Sequence, residues 1–236
     1  MPVRRTANGL LISLLVCLPA LVLGEAQDAG QGVVVEAPEL VPDGSARIDL
    51  PALDAAALSD RLAGLETFAA SFIQAIAGNR GQILEQSTGY VLLDRPNFKW
   101  VVDAPYPQVI VTEGDSLKVY DPDLEQLTIR PLADALTDTP ISLLTSTDVD
   151  LSEKFQIIRL PLDEDGVDSY VVSPLGEETL FAEIRLAFSG TGLDSLGIVD
   201  HLGQYTEIRF QVDADRVIQS ADFELEVPPE TDVIGG

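Results

Sequence analysis

The sequence predicts a mainly β fold of the α+β kind, one antiparallel sheet or barrel of about ten or eleven short strands with few helices. Three observations carry this. From residue 68 onward, apolar residues recur at every second position more often than at helical spacing. Turn signals built on Gly, Pro and Asp separate these runs at hairpin intervals. Helical spacing is confined to one stretch before the first strand and one in mid-chain.

Asp54 to Leu65 reads as a helix, with Leu58, Leu62 and Leu65 on one stripe and a break at Gly64. Phe68, Ala70, Phe72, Gln74 and Ile76 then fit a strand. Phe98, Trp100 and Val102 share a strand face, with Lys99 and Asp103 on the other. Val109 and Val111 lead to a turn at Glu113-Gly114-Asp115. Leu117 and Val119 follow, and Leu127 and Ile129 resume after Asp121-Pro122-Asp123. Pro131 to Thr147 interrupts the alternation. Leu132, Leu136, Leu143 and Leu144 suggest two short helices divided at Thr139-Pro140, because the residue before a proline avoids helical geometry. Further strands are expected around Phe155 to Leu160, Tyr170 to Val172, Phe181 to Phe188 and Ile208 to Val212. Phe223, Leu225 and Val227 close the series before Pro228-Pro229.

Residues 1–24 read as a secretory signal: Arg4 and Arg5, an apolar stretch from Leu10 to Leu23, and small residues at Val22-x-Gly24 or Gly24-x-Ala26. The apolar stretch is shorter than a bilayer span requires. Cys17, the one cysteine, lies inside it after Val16, which is a poor context for acylation. The chain beyond the signal therefore has no disulfide to rely on and needs a core. Residues 25–49, rich in Gly, Pro, Ala, Asp and Glu without periodicity, read as a flexible acidic leader. Residues 50–236 are enough for one domain with a sizeable core.

The chain carries 14 basic and 39 acidic residues, and loss of Arg4 and Arg5 takes its formal charge from −25 to −27. Such a surface repels nucleic acid and anionic membrane, so neither is an expected partner. The acidity fits either a saline setting or a basic partner.

Catalytic chemistry is sparse. Gly114-Asp115-Ser116-Leu117 spells a lipase nucleophile string, but that chemistry needs an Asp three residues before a histidine. His201 is the one histidine, and position 198 is Ile198. A hairpin turn explains the string. His201 reads as a loop residue and Asp163-Glu164-Asp165 as a solvated turn without EF-hand spacing. No phosphate-cradling glycine motif is present. Close carboxylate pairs arise by chance among 39 acids, so a secreted hydrolase stays open as a weaker alternative. Arg95 has a bland role available as a surface ion pair, and Phe98 and Trp100 as core.

Asp94-Arg95-Pro96-Asn97-Phe98-Lys99-Trp100, followed by Pro105, the Gly114 turn and Tyr120-Asp121-Pro122, resembles the periplasmic outer-membrane lipoprotein carrier family, LolA. Ala70-Ser71-Phe72-x-Gln74, Glu125-Gln126, Thr139-Pro140 and Phe223-x-Leu225-x-Val227-Pro228-Pro229 extend the resemblance in order, over roughly Asp54 to Ile234. It implies an incomplete antiparallel barrel whose open side is covered by short helices, a lid over an apolar cavity. It also implies that Arg95 latches the lid through main-chain carbonyls. Phe72, Phe98, Trp100, Val111, Leu143 and Leu144 would line an acyl-chain cavity, with Phe98 at the mouth where a partner docks. The implied protein is a monomeric periplasmic carrier, neither an enzyme nor a cofactor or metal binder. It would take acylated lipoproteins from an inner-membrane ATP-binding-cassette releasing complex to an outer-membrane receptor. A related open-barrel module that senses lipid or lipoprotein is the alternative.

Overall fold

Leucine spacing sets the first element. Helix α1, Leu53–Ala63, turns Leu58 and Leu62 inward together with Leu65 just beyond it, each at most 5% exposed. The helix stops where Gly64 N–H donates to Asp60 O at 3.1 Å, and the chain then extends into β1, Thr67–Ala77. The computed structural model describes residues 53–133, 141–145, 151–176, 179–190 and 192–235.

Five antiparallel strands follow: β2 (Ile83–Asp94), β3 (Asn97–Ala104), β4 (Gln108–Glu113), β5 (Ser116–Asp121) and β6 (Gln126–Pro131). Two short helices come next, α2 (Ile141–Thr145) and α3 (Leu151–Lys154). The second half contains β7 (Phe155–Arg159), β8 (Asp168–Pro174), β9 (Glu183–Ser189), β10 (Gly192–Val199) and β11 (Tyr205–Val212). A terminal strand, β12 (Asp232–Gly235), lies parallel to β6. All twelve form one sheet in the order β12-β6-β5-β4-β3-β2-β1-β11-β10-β9-β8-β7, which ends on β12 and β7 without closing. The mainly β, unclosed architecture is the one expected, with one more strand than the upper estimate.

Gly114, at φ +58°, sits in the β4–β5 hairpin, where Glu113 pairs with Ser116, so the lipase-like string is a turn. The Asp163 carboxylate accepts the N–H groups of Asp165 and Val167, so it serves a turn ending at Gly166. The strand expected over Phe223 to Val227 is absent. Ser220–Phe223 forms a 3₁₀ turn, capped by Gln219 and Asp222, that buries Phe223 on the outer face of the sheet. Of the mid-chain helices, α2 matches the second expected one. Leu136, Thr139 and Pro140 lie outside the described residues.

Register divides the residues into two faces. Phe72 stands opposite Gly89 and Phe210, Gly89 opposite Val102, and Val91 opposite Trp100. These make an inner face on which the rings of Phe72 and Trp100 stack 4.0 Å apart, with Phe210 edge-on to Trp100 at 6.3 Å. Gly89 is required by this stacking. A Cβ there would lie 2.7 Å from Phe72 Cζ and collide with the Val101 carbonyl. Gly89→Ala should therefore destabilise the protein by about 1–3 kcal/mol, the cost of overpacking. Thermal melts should show the midpoint falling by roughly 2–10 °C, and near-UV circular dichroism should report a disturbed Trp100.

Candidate functional site

The site is built around the β2–β3 turn, which carries Arg95 between two paired strands. Arg95 Nε–H donates to Leu144 O of α2 at 2.9 Å, and Nη2–H donates to Leu62 O of α1 at 2.7 Å. Both acceptors lie in the last turn of their helix, where carbonyls lack an intrahelical partner. The planar fork of a guanidinium can reach two such oxygens at once, which a lysine ammonium does less well. Partial burial pulls the Arg95 pKa down and Glu66 opposes it, and a guanidinium stays cationic throughout.

Beneath this turn lie the expected cavity residues, unevenly placed. Phe72, Trp100, Phe98, Leu143 and Leu144 are all buried, and the first three share the inner face. Phe98 is 0% exposed, so it is not at an open mouth, and the docking role expected for it does not fit this form. Its N–H donates to the buried Thr112 hydroxyl at 2.8 Å, which fixes the start of β3 inside the core. Val111 is misplaced as well. It pairs with Lys99, so it faces outward, where it packs with Ala69, Leu92 and Phe223. Ile110, opposite Trp100, holds the inward position.

The outer face carries a cleft of about 550 Å³ lined by Tyr90, Leu92, Lys99 and Arg216 among others. Its cations are engaged: Lys99 Nζ donates to Asp222 O at 2.6 Å, and Arg216 pairs with the Asp222 carboxylate at 2.7 Å. His201 Nε2 lies 2.8 Å from Thr179 O in a surface turn.

A second constellation was missed in the sequence. Arg61, in the last turn of α1, donates to Asp168 Oδ2 at 2.9 Å and to Gly190 O at 2.7 Å. Arg159 of β7 donates to Asp168 Oδ1 at 2.7 Å, and the Tyr170 hydroxyl completes the set at 3.0 Å. The Asp168 side chain is only 1% exposed. Its signal was parity: Asp168 falls on the same inward face as Tyr170 and Val172, where a lone carboxylate needs cationic partners.

Residues 63–226 match the model of the family described as outer membrane lipoprotein carrier protein LolA. The chain belongs to the LolA family. It is 37% identical over 180 residues to an outer-membrane lipoprotein carrier protein of Hahella chejuensis, covering 75% of this chain and 86% of that one. A Chromohalobacter salexigens protein of the same description is 36% identical over 182 residues, with the same coverage. One from Pseudomonas syringae pv. tomato is 36% identical over 183 residues, covering 77% and 87%. In this member of the family, α1 is tied to both halves of the sheet, through Arg61 to β8 and through Arg95 to the β2–β3 turn.

Burial raises the Asp168 pKa, but hydrogen bonds from Arg159, Tyr170 and Arg61 outweigh it and leave the carboxyl below its ordinary value. A carboxyl depressed in the folded state contributes stability above its unfolded pKa of about 4, and that contribution is lost as pH falls through the lower folded value. Asp168→Asn should lower stability at neutral pH by about 1–3 kcal/mol, discounted for the partly exposed arginines. It should also flatten the acid limb below about pH 4. Urea melts at a series of pH values would check both; parallel curves for the two proteins would contradict it.

Proposed function

We propose that this protein is a periplasmic carrier that encloses the acyl chains of lipoproteins between the inner face of its sheet and helices α1 and α2, with Arg95 as the latch. The observation that carries the reading is the Arg95 guanidinium bonded to the terminal carbonyls of both helices, above the apolar layer of Phe72, Phe98 and Trp100. Family membership supports the cargo class, because the curated relatives above are named outer-membrane lipoprotein carrier proteins. Among the described residues, no helix is long and apolar enough to cross a membrane. That fits a protein that shuttles between membranes.

The physics sets the need for such a carrier. Each buried methylene is worth about 0.8 kcal/mol, so a multiply acylated terminus leaves a bilayer very slowly unaided. A permanently open apolar pocket would hold that cargo almost irreversibly. A closing lid lowers net affinity, because loading must first break the Arg95 bonds, each worth about 1.5–3 kcal/mol as a charge-assisted contact. It must also uncover Leu143, Leu144 and the aromatic layer, all buried in this form. The chain has no nucleotide motif, so the energy for extraction comes from an inner-membrane ATP-binding-cassette complex, and delivery is to an outer-membrane receptor. Binding and release in this scheme make or break no covalent bond.

Arg95→Leu should keep the fold but lose at least tenfold in transfer of an acylated lipoprotein from inner-membrane to outer-membrane vesicles. Full transfer by a folded variant would refute the latch. Loading should also be visible from within, since Trp100 is the sole tryptophan. An acyl ligand entering beside the Phe72–Trp100 stack should shift or quench Trp100 emission, and a titration with no change at saturation would place the ligand elsewhere.

A further inference from the structure

Along β1 and β2 the aromatic floor of the inner face gives way to a polar row. Gln74 and Ser87 stand directly opposite one another. One inward step toward Arg95 lies the Phe72–Gly89 pair, and one step away lies Ile76 opposite Glu85. Gln74 and Ser87 are each 3% exposed, as deeply buried as Phe72 and Trp100. The Ser87 hydroxyl and Glu85 Oε1 are buried without a hydrogen-bond partner. Burial also pushes the Glu85 carboxyl up, as expected where water is excluded. A buried hydroxyl with no partner is costly, and an alanine would occupy the Ser87 position without that penalty.

The surroundings of the row define what it can hold. Toward Arg95 the floor is Phe72 and Trp100. Sideways across the ladder, Gln74 is followed by Ile208 of β11 and Leu196 of β10, both buried. Hydrocarbon can therefore lie on two sides of one hydrogen-bonding point. In a fatty-acyl ligand, the linkage carbonyl is the polar atom that adjoins hydrocarbon. We propose that Ser87, with Gln74 beside it, is a subsite for the carbonyl of an acyl linkage, an ester or an amide. The Ser87 O–H donates to the carbonyl oxygen, and the amide of Gln74, opposite it on β1, supplies a second donor. The assignment rests on the carrier reading above, and it adds a point of chemical recognition to a site otherwise apolar.

Three probes sharing one long hydrocarbon chain test it on the full chain: a monoacylglycerol (ester), an N-acylethanolamine (amide) and a monoalkylglycerol (ether, with no carbonyl). Binding is read by fluorescent-probe displacement and native mass spectrometry. The unmodified protein should bind the ester or the amide about three- to tenfold more tightly than the ether, the worth of one hydrogen bond. Whichever is preferred identifies the linkage. Ser87→Ala should lose that preference while keeping its ether affinity, and Ser87→Thr, which retains a hydroxyl, should keep it. Equal binding of all three probes, or a preference that survives Ser87→Ala, overturns the subsite and leaves the carrier reading standing. No binding of any probe by the unmodified protein overturns the carrier reading, and the subsite with it.

Discussion

An open sheet cannot bury its inner face by closing on itself, and here that constraint governs the rest. The twelve-stranded sheet ends on β12 and β7, leaving an inner layer of Phe72, Phe98, Trp100, Phe210, Tyr170 and Phe188 that helices must cover. Helix α1 supplies Leu58 and Leu62, and Leu65 follows just beyond it, all buried. How firmly the cover sits depends on consecutive residues of its last turn. The Arg61 side chain reaches the buried Asp168 in one half of the sheet, and the Leu62 carbonyl accepts from Arg95 in the other. Helix α1 is thus a crossbar between the two halves. The same Arg95 guanidinium holds α2 at Leu144, so one side chain joins three elements.

The two tethers differ in kind. Asp168 is surrounded by two arginines and a tyrosine, and removing any of these three leaves the carboxylate buried without its full set of partners. The Arg95 bonds go to main-chain carbonyls, which have other acceptances available. Leu62 O also accepts from Leu65 N–H at 3.0 Å. Losing the Arg95 bonds strands no anion, and the guanidinium can be solvated in their place. A contact of that type can be broken and remade at modest cost, as the latch proposed for Arg95 requires. The Asp168 network suits a part that stays in place.

Much of this was legible in the sequence, and the omissions have physical causes. The strongly alternating strands and the α1 stripe were plain because each presents one apolar face. The first half of β2 carries Glu85, Gln86, Ser87 and Thr88, and β10 carries Gly192 and Gly197, so neither shows the usual β-rich pattern. Val111 misled because both Ile110 and Val111 are buried. The C-terminal segment around Phe223 covers the outer face there, so alternation no longer tells inside from outside. Phe223 to Val227 misled in the reverse sense: its apolar residues alternate, yet Phe223 and Leu225 pack onto the sheet's outer face with no strand ladder over those residues. The Arg95 position could be guessed, but its acceptors are main-chain atoms, and no residue type announces a carbonyl. Asp168 was readable only once β8 was in register, because its partners lie 107 and 9 residues away in the chain.

The choice of cations bears on how α1 and α2 are held in so acidic a chain. Exposed pairs such as Arg209–Glu207 and Arg185–Glu183 link neighbours two residues apart on one strand, and contribute under about 1 kcal/mol each. Dissolved salt weakens these pairs further, with a screening length of about 8 Å at physiological ionic strength. The two tethers of α1 are arranged otherwise. Asp168 is sequestered from solvent and its two arginines approach with hydrogen-bond geometry, so screening reaches it less. Arg95 binds dipolar carbonyls at 2.7–2.9 Å rather than a distant carboxylate. Its attachment therefore relies on directional hydrogen bonds at short range, which counterions do not screen as they do long-range charge pairs. In a chain with 39 acidic residues, a change of ion atmosphere at the surface then leaves the Arg95 and Asp168 contacts largely unaffected. The long-range charge of the acidic surface is in this way separate from the short contacts that hold α1 and α2 to Arg95.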